Sequence, residues 1–228
     1  MPTNNILRVY DCCDYVCGFV GDMSVFNSGK IELRLGDCMD YMRSLPDNAF
    51  ELAIVDPPYR DSNQPTKDMR KNGSMKSLEG RPSKEYFTQL IRVTKNQIIW
   101  GANNFELPQF MGFVVWEKIT ISENFTMSMA EIASLSKGLA TTSKIYRQQP
   151  QDKGRIHPTQ KPVKLYDWLL SKYAKTGDKI LDTHLGSGSS AIAAHYAGFE
   201  FVGLELDEDY YKAAVSRFES TTAQGALF

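Results

Sequence analysis

Phe50-Glu51-Leu52-Ala53-Ile54-Val55-Asp56-Pro57-Pro58-Tyr59 is an apolar run closed by an abrupt turn. Residues 50–55 are apolar enough to be buried on both faces, the pattern of a strand in a parallel sheet covered by helices. Each proline drives its predecessor out of the helical region and offers no N–H. The strand therefore ends at Asp56, and the turn presents carbonyl oxygens beside a carboxylate. Open α/β sheets bind ligands at the carboxyl ends of their strands, where this turn falls.

Strands and helices alternate outward from this segment. Before it, residues 31–35 read as a strand and 39–45 as a short helix. After it, a helix capped by Ser83 runs to Lys95 on the apolar spacing of Tyr86, Phe87, Leu90, Ile91 and Val93. Strands follow at 97–100 and 113–116, with weaker signals at 131–135 and 142–147. Pro162 opens a helix through Ala174, whose buried stripe is Val163, Tyr166, Leu169, Leu170 and Tyr173. A strand at 179–181, a Gly-Ser turn, a helix at 189–197, a strand at 199–204 and a final helix capped by Asp207 complete the pattern. The expected class is α/β, a doubly wound and mostly parallel sheet. Residues 30–220 are expected to form one domain, with an extension at 1–29 and a tail at 221–228.

A second constellation, Asp182-Thr183-His184-Leu185-Gly186-Ser187-Gly188-Ser189-Ser190, lies between a strand and a helix, where glycines let the backbone approach a ligand closely. Glu205 follows the glycines by roughly 20 residues, the spacing at which an acid reaches ribose hydroxyls. Such a loop equally suits a nicotinamide or flavin enzyme; its pairing with the acidic Pro-Pro-Tyr turn selects a methyl donor.

Together these segments resemble the amino-methyltransferases of DNA, in the permuted order of the beta class. Gly36-Asp37 comes first, then Asp56-Pro57-Pro58-Tyr59, His157-Pro158-Thr159-Gln160-Lys161-Pro162, Gly186-Ser187-Gly188 and finally Glu205. The resemblance implies the S-adenosylmethionine-dependent methyltransferase (Rossmann-like) fold, with S-adenosylmethionine as cofactor and an amino group of a DNA base as substrate. It makes Asp56, Pro57, Pro58 and Tyr59 the catalytic turn. Asp182, Thr183, His184, Gly186, Ser187, Gly188, Ser189 and Ser190 become the loop at the methionine end of the cofactor, Glu205 the ribose ligand and Asp37 a neighbour of its adenine. His157, Thr159, Gln160 and Lys161 would pack over the methionine end. Where the family has Pro-Phe this chain has Thr183-His184, so His184 either contacts the cofactor or replaces a packing ring. Trp100-Gly101-Ala102-Asn103 and Trp116-Glu117-Lys118 resemble strand-end segments, each tryptophan belonging to the core or to the base pocket.

An exocyclic amino nitrogen is a poor nucleophile because its lone pair is delocalised into the ring. If the Asp56 carboxylate and the Pro57 carbonyl each accept one N–H bond, that lone pair is freed for in-line attack. Tyr59 offers a flat face to a base turned out of the duplex. Asp at the first position of the turn implies adenine N6 as acceptor, since cytosine-N4 relatives often carry Ser. The alternatives are cytosine N4, then RNA, a protein glutamine, or a silent nucleic-acid-binding subunit.

With 26 Lys and Arg against 27 Asp and Glu, the chain has no overall attraction to DNA. Local clusters supply it: Arg60 to Lys84 holds seven bases against three acids, and Lys137 to Lys164 seven against one. Loops 61–82 and 137–156 are expected to face double-stranded DNA, through Arg60, Lys67, Arg70 and Lys71 in and beside the first and Lys144, Arg147, Lys153 and Arg155 in the second. A homodimer is implied by resemblance only. The tail Gln224-Gly225-Ala226-Leu227-Phe228 resembles peptides that dock on the bacterial sliding clamp, with Leu227 and Phe228 as anchors. Cys12, Cys13 and Cys17 lack metal-site spacing, so no metal is expected. Without a signal sequence or apolar span, the chain reads as cytoplasmic with reduced thiols.

Overall fold

The computed structural model describes residues 24–59, 62–63, 78–124, 127–150 and 155–225. In chain order the elements are β1 (Val25–Ser28), β2 (Ile31–Leu35), α1 (Cys38–Arg43), β3 (Phe50–Val55), the two-residue β4 (Ser62–Asn63) and β5 (Leu78–Glu79), α2 (Lys84–Val93) and β6 (Thr94–Trp100). Then come β7 (Gly112–Glu117), β8 (Ala130–Leu135), β9 (Lys144–Arg147), α3 (Val163–Tyr173), β10 (Lys179–Asp182), α4 (Ser189–Ala197), β11 (Glu200–Glu205) and α5 (Glu208–Gly225).

The main sheet has the order β1-β2-β11-β10-β3-β6-β8-β7-β9. Strands β2, β11, β10, β3 and β6 run parallel, while β8 is antiparallel to both β6 and β7. Side chains alternate along β3 and β6 to serve two cores. Leu52, Ile54, Ile98 and Trp100 pack with Leu165 and Leu169 of α3, Ile192 of α4 and Phe218 of α5. On the other face Ala53, Val55 and Ile99 pack with Tyr86, Phe87, Leu90 and Val93 of α2 and with Tyr41 and Met42 of α1. Helices on both faces make the sheet doubly wound, as its apolar strands predict.

Chain direction positions the site. From β10 the chain crosses through α4 to β11 on one side; from β3 it crosses through α2 to β6 on the other. Strands β10 and β3 are themselves parallel neighbours, with Ile180 opposite Leu52 and Leu181 opposite Ala53. Their carboxyl ends therefore flank the point where the winding reverses.

The expected caps form: Ser83 accepts from the Tyr86 N–H at 3.4 Å, and Asp207 from the N–H groups of Asp209 and Tyr210. Most boundaries move by one or two residues, Pro162 serving as the N-cap of a helix that begins at Val163, and two of the differences have a visible cause. Helix α2 stops at Val93 and β6 begins at once, because Thr94 is already extended (φ −129, ψ 139) and its hydroxyl donates to the Leu90 carbonyl at 2.6 Å. The sheet also starts before Lys30, since β1 pairs antiparallel with β2 and Phe26 meets Phe218 edge to face at 5.8 Å. Among the described residues no helix is long and apolar enough to cross a membrane.

Adjacent residues of α2 test this packing. Leu90 is fully buried and Ile91 is 37% exposed. Urea unfolding should show Leu90→Ala losing about 2–5 kcal/mol and Ile91→Ala within about 0.5 kcal/mol of the parent. Equal losses would contradict the placement of α2.

Candidate active site

A cavity of about 650 Å³ opens at the carboxyl ends of β2, β3, β10 and β11, a volume suited to a nucleoside-sized ligand. Its wall brings together Asp37, the whole turn Asp56 to Tyr59, His157, Thr159, Gln160, Lys161, Thr183, His184, Gly186, Ser187, Ser189 and Glu205. Asp182, Gly188 and Ser190 are not on that wall. Asp182 is buried beneath the loop, where its carboxylate accepts from the His184 N–H at 3.0 Å and from the Ser190 hydroxyl at 2.6 Å, so both act as framework. Gly188 caps α4 with φ +74.

Gly186 shapes one end of the cavity. Its φ is +53, and a Cβ there would stand 3.3 Å from the His157 ring. Its N–H donates to Glu205 Oε2 at 2.8 Å, while the Asp207 N–H donates to Oε1 at 3.0 Å. Arg217 of α5, which the sequence reading did not single out, ties the loop down through the Ser187 carbonyl at 2.8 Å and the Ser189 hydroxyl at 2.9 Å. Burial raises the Asp182 and Glu205 carboxyls to about 7 each. Burial also lowers His157 to about 3, helped by the nearby Arg155 charge, and His184 to about 4, so both rings are neutral near pH 7. His184 lines the cavity, and its ring sits edge to face on Tyr86 at 5.3 Å. The Thr183 hydroxyl lies 2.9 Å from His184 Nδ1 and 2.6 Å from the Tyr86 hydroxyl.

At the other end, the Tyr59 hydroxyl donates to Asp56 Oδ1 at 2.6 Å, and Lys161 Nζ lies 2.6 Å from Oδ2. Lys161 lines the cavity with the rest of its segment, and its ammonium turns to the acidic turn because a charge only 3% exposed must find anions. It finds a second in Glu131 at 2.8 Å, which in turn pairs with Lys118 at 2.6 Å. Burial raises the Asp56 carboxyl above its ordinary value, with the Lys161 charge opposing, while Lys161 and Lys118 hold Glu131 down near 2 against its own burial. The Tyr59 ring lies on Gly101, where a Cβ would come within 2.2 Å of it, so this glycine is what admits the ring.

Glu131 and Lys118 were missed as site residues. The available signal was an acid opening one apolar strand and a lysine closing another, but nothing local says that β7 and β8 pair. Trp100 and Trp116 are both core, and Trp116 also lines the cavity and donates to the Gln148 carbonyl at 2.9 Å. Among the residues expected on DNA, Lys144 and Arg147 lie exposed on β9, an edge strand within the second basic segment, where Arg147 pairs with Glu117 at 2.8 Å. Arg155 folds into the cavity wall and donates to the His157 carbonyl at 3.1 Å and to that of Pro158, so its guanidinium holds the turn ahead of α3. Arg60, Lys67, Arg70, Lys71, Lys153, Leu227, Phe228 and the Gln224 side chain lie outside the described residues, as do Cys12, Cys13 and Cys17. Among the described residues no cluster could hold a metal ion.

A ligand crevice at the switch point of a doubly wound sheet, with a glycine cradle at one end and a buried carboxylate turn at the other, is the arrangement of the cofactor-binding α/β enzymes. Residues 99–216, more than half of the chain, match the DNA methylase family of N6 and N4 enzymes, and the chain belongs to that family. Methylase YubD of Escherichia coli (strain K12) is 26% identical over 80% of this chain and 87% of its own length. The type II methyltransferase M2.DpnII of Streptococcus pneumoniae is 39% identical over 64 residues, 28% of this chain and 24% of that protein. Among solved structures, M1.HpyAVI in complex with S-adenosylmethionine matches with a TM-score of 0.57 and 18% identity, over 82% of this chain and 98% of that one. The cytosine-N4-specific PvuII DNA methyltransferase matches with a TM-score of 0.58 and 12% identity, over 82% and 86%. At these identities the shared property is the fold.

The raised Glu205 carboxyl has a measurable consequence. A folded-state value near 7, above the unfolded value, means that the folded protein binds this proton more tightly, so the contribution of Glu205 to stability falls as pH rises through about 7. Glu205→Gln removes that term. Its melting temperature relative to the parent should rise between pH 5 and pH 8, both measured without ligand; a difference independent of pH would contradict the burial of an ionisable Glu205.

Proposed function

We propose that this protein transfers a methyl group from S-adenosylmethionine to the N6 amino group of adenine in double-stranded DNA. The observation that carries the reading is that the Asp56 turn and the Gly186–Glu205 cradle share one crevice.

The residues present fit the cofactor. Gly186 leaves space that a side chain would fill. Glu205 uses its two oxygens on two main-chain N–H groups, which leaves further lone pairs for ribose hydroxyls. Asp37 and the exposed Leu206 stand beside it as polar and apolar contacts for a purine. His157, Thr159 and Gln160, with Thr183, His184 and Ser187, would enclose the methionine end. When bound, S-adenosylmethionine supplies an electrophilic methyl carbon on a sulfonium.

The chain's own residues then make the acceptor nucleophilic. Asp56 and the Pro57 carbonyl accept the two N–H bonds of the amino group and draw its nitrogen towards tetrahedral geometry. Pro58 stiffens the turn, so these acceptors stay in place as charge develops. Burial makes Asp56 a better proton acceptor than an exposed carboxylate, so Oδ1 or Oδ2 can receive the proton that the nitrogen sheds. Tyr59 walls the pocket that receives the base turned out of the duplex, with its hydroxyl fixing the carboxylate. Gly80 and Pro82 at the end of the first basic segment, and Pro150 and Arg155 in the second, line the same cavity, which supports both segments as DNA-facing. Asp at position 56 favours adenine over cytosine as the target.

In a tritiated-methyl assay, Asp56→Ala should keep the dissociation constant of S-adenosylmethionine within a few-fold and lose transfer by about 10²-fold or more. Digestion of the parent's product should place the label on N6-methyladenine. Label on N4-methylcytosine would replace the base assignment, and turnover in Asp56→Ala equal to the parent's would remove Asp56 from the mechanism.

A further inference from the structure

We infer that Glu131 and Lys118 are positioning residues for methyl transfer: with Lys161 they form a charge-balanced chain of buried ions that fixes the Asp56 carboxylate beneath the base pocket and sets its proton affinity. The inference deepens the proposed function and rests on it.

The four groups come from four separate places in the fold. Lys118 follows β7, Glu131 lies on β8, Lys161 precedes α3 and Asp56 follows β3. Lys118 Nζ is 2.6 Å from Glu131 Oε1, Glu131 Oε2 is 2.8 Å from Lys161 Nζ, and Lys161 Nζ is 2.6 Å from Asp56 Oδ2. Their side chains are 8%, 19%, 3% and 11% exposed, so water screens none of them well. Two carboxylates and two ammoniums sum to zero. Well-packed apolar residues would serve stability at least as well as such a network, which makes its position beside the reacting centre the informative feature.

Each member has a distinct task. Lys161 alone beside Asp56 would make a buried pair that could neutralise itself by passing its proton to the carboxylate. Glu131 holds the Lys161 ammonium by a second contact at 2.8 Å, while its own negative charge raises the proton affinity of Asp56. Lys118 opposes that effect. The carboxylate is not saturated, since Lys161 and Tyr59 occupy two of its roughly four acceptor positions and an amino group can use another. Beyond these groups, Asp56 is faced by Tyr166 from α3, Asp182 from β10 and Tyr86 from α2. Burial holds the two tyrosines un-ionised, and the Asp56 charge is one of the smaller causes that raise the Asp182 carboxyl.

The signs follow. Removing the Glu131 charge lowers the proton affinity of Asp56, and removing the Lys118 charge raises it. Carbon-13 NMR of the Asp56 carboxyl, without cofactor or DNA, should show its titration shifted to lower pH by about half a unit or more in Glu131→Gln and to higher pH by a similar amount in Lys118→Met. The double variant, which restores the charge balance, should return towards the parent. The acid limb of kcat/KM should move in the same directions, with kcat down about ten-fold in each single variant and the dissociation constant of S-adenosylmethionine changed by no more than a few-fold. If Lys118→Met does not fold, Glu131→Gln and the double variant carry the test. A merely structural role would lower the yield of active protein and leave the titration where it was. Identical Asp56 titration in all variants of a protein that does methylate DNA overturns the inference alone, whereas a parent that methylates no DNA strikes the proposed function itself.

Discussion

The parallel pairing of β3 with β10, from which the chain departs in opposite directions, is the constraint on which the molecule depends. Had α4 crossed to the same side as α2, a connection would cover the carboxyl ends of these strands. Because the two crossovers diverge, those ends stay open, and Asp56 and the Gly186 loop face one space. Burial of β3 and β10 between two layers of helices fixes the two strands, and thereby the spacing across the crevice.

The two ends of that crevice manage buried charge in different ways. Glu205 and Asp182 rest mainly on main-chain N–H groups and a hydroxyl, which do not offset the loss of hydration, so both carboxyls are held near 7. Such groups suit hydrogen bonding to neutral hydroxyls and the bracing of a loop. Asp56 sits against an ammonium that is itself held by a second acid. That arrangement costs desolvation and ordered side chains, and under the proposed function it holds the carboxylate in place for an arriving amino group.

Legibility in the sequence followed locality. The apolar run of β3, the Pro-Pro stop, the Ser83 and Asp207 caps and the glycine loop are each decided by neighbours within a few residues, and all were readable. Strand β1 was not, since Val-Phe-Asn-Ser becomes a strand only by pairing with β2. The end of α2 turned on one hydroxyl reaching back to Leu90. Most residues on the cavity wall were foreseen through resemblance, whereas the contact of Lys161 with Asp56 and the parts of Glu131 and Lys118 beside it were not. Those contacts join residues 105, 30 and 13 positions apart in sequence across strands whose order no local pattern specifies. Asp182 and Ser190 were expected on the cavity wall and lie behind it, because a motif names residues without saying which of them support the others.

The most direct measurement is a crystal structure of the protein with S-adenosylhomocysteine and a DNA duplex containing its target site. The fold predicts the ribose on Glu205, the thioether sulfur directed along the crevice towards Asp56, and an extruded base whose amino nitrogen lies within hydrogen-bond reach of the Asp56 carboxylate. A sulfur directed away from that turn, or a base amino group resting elsewhere, would contradict it.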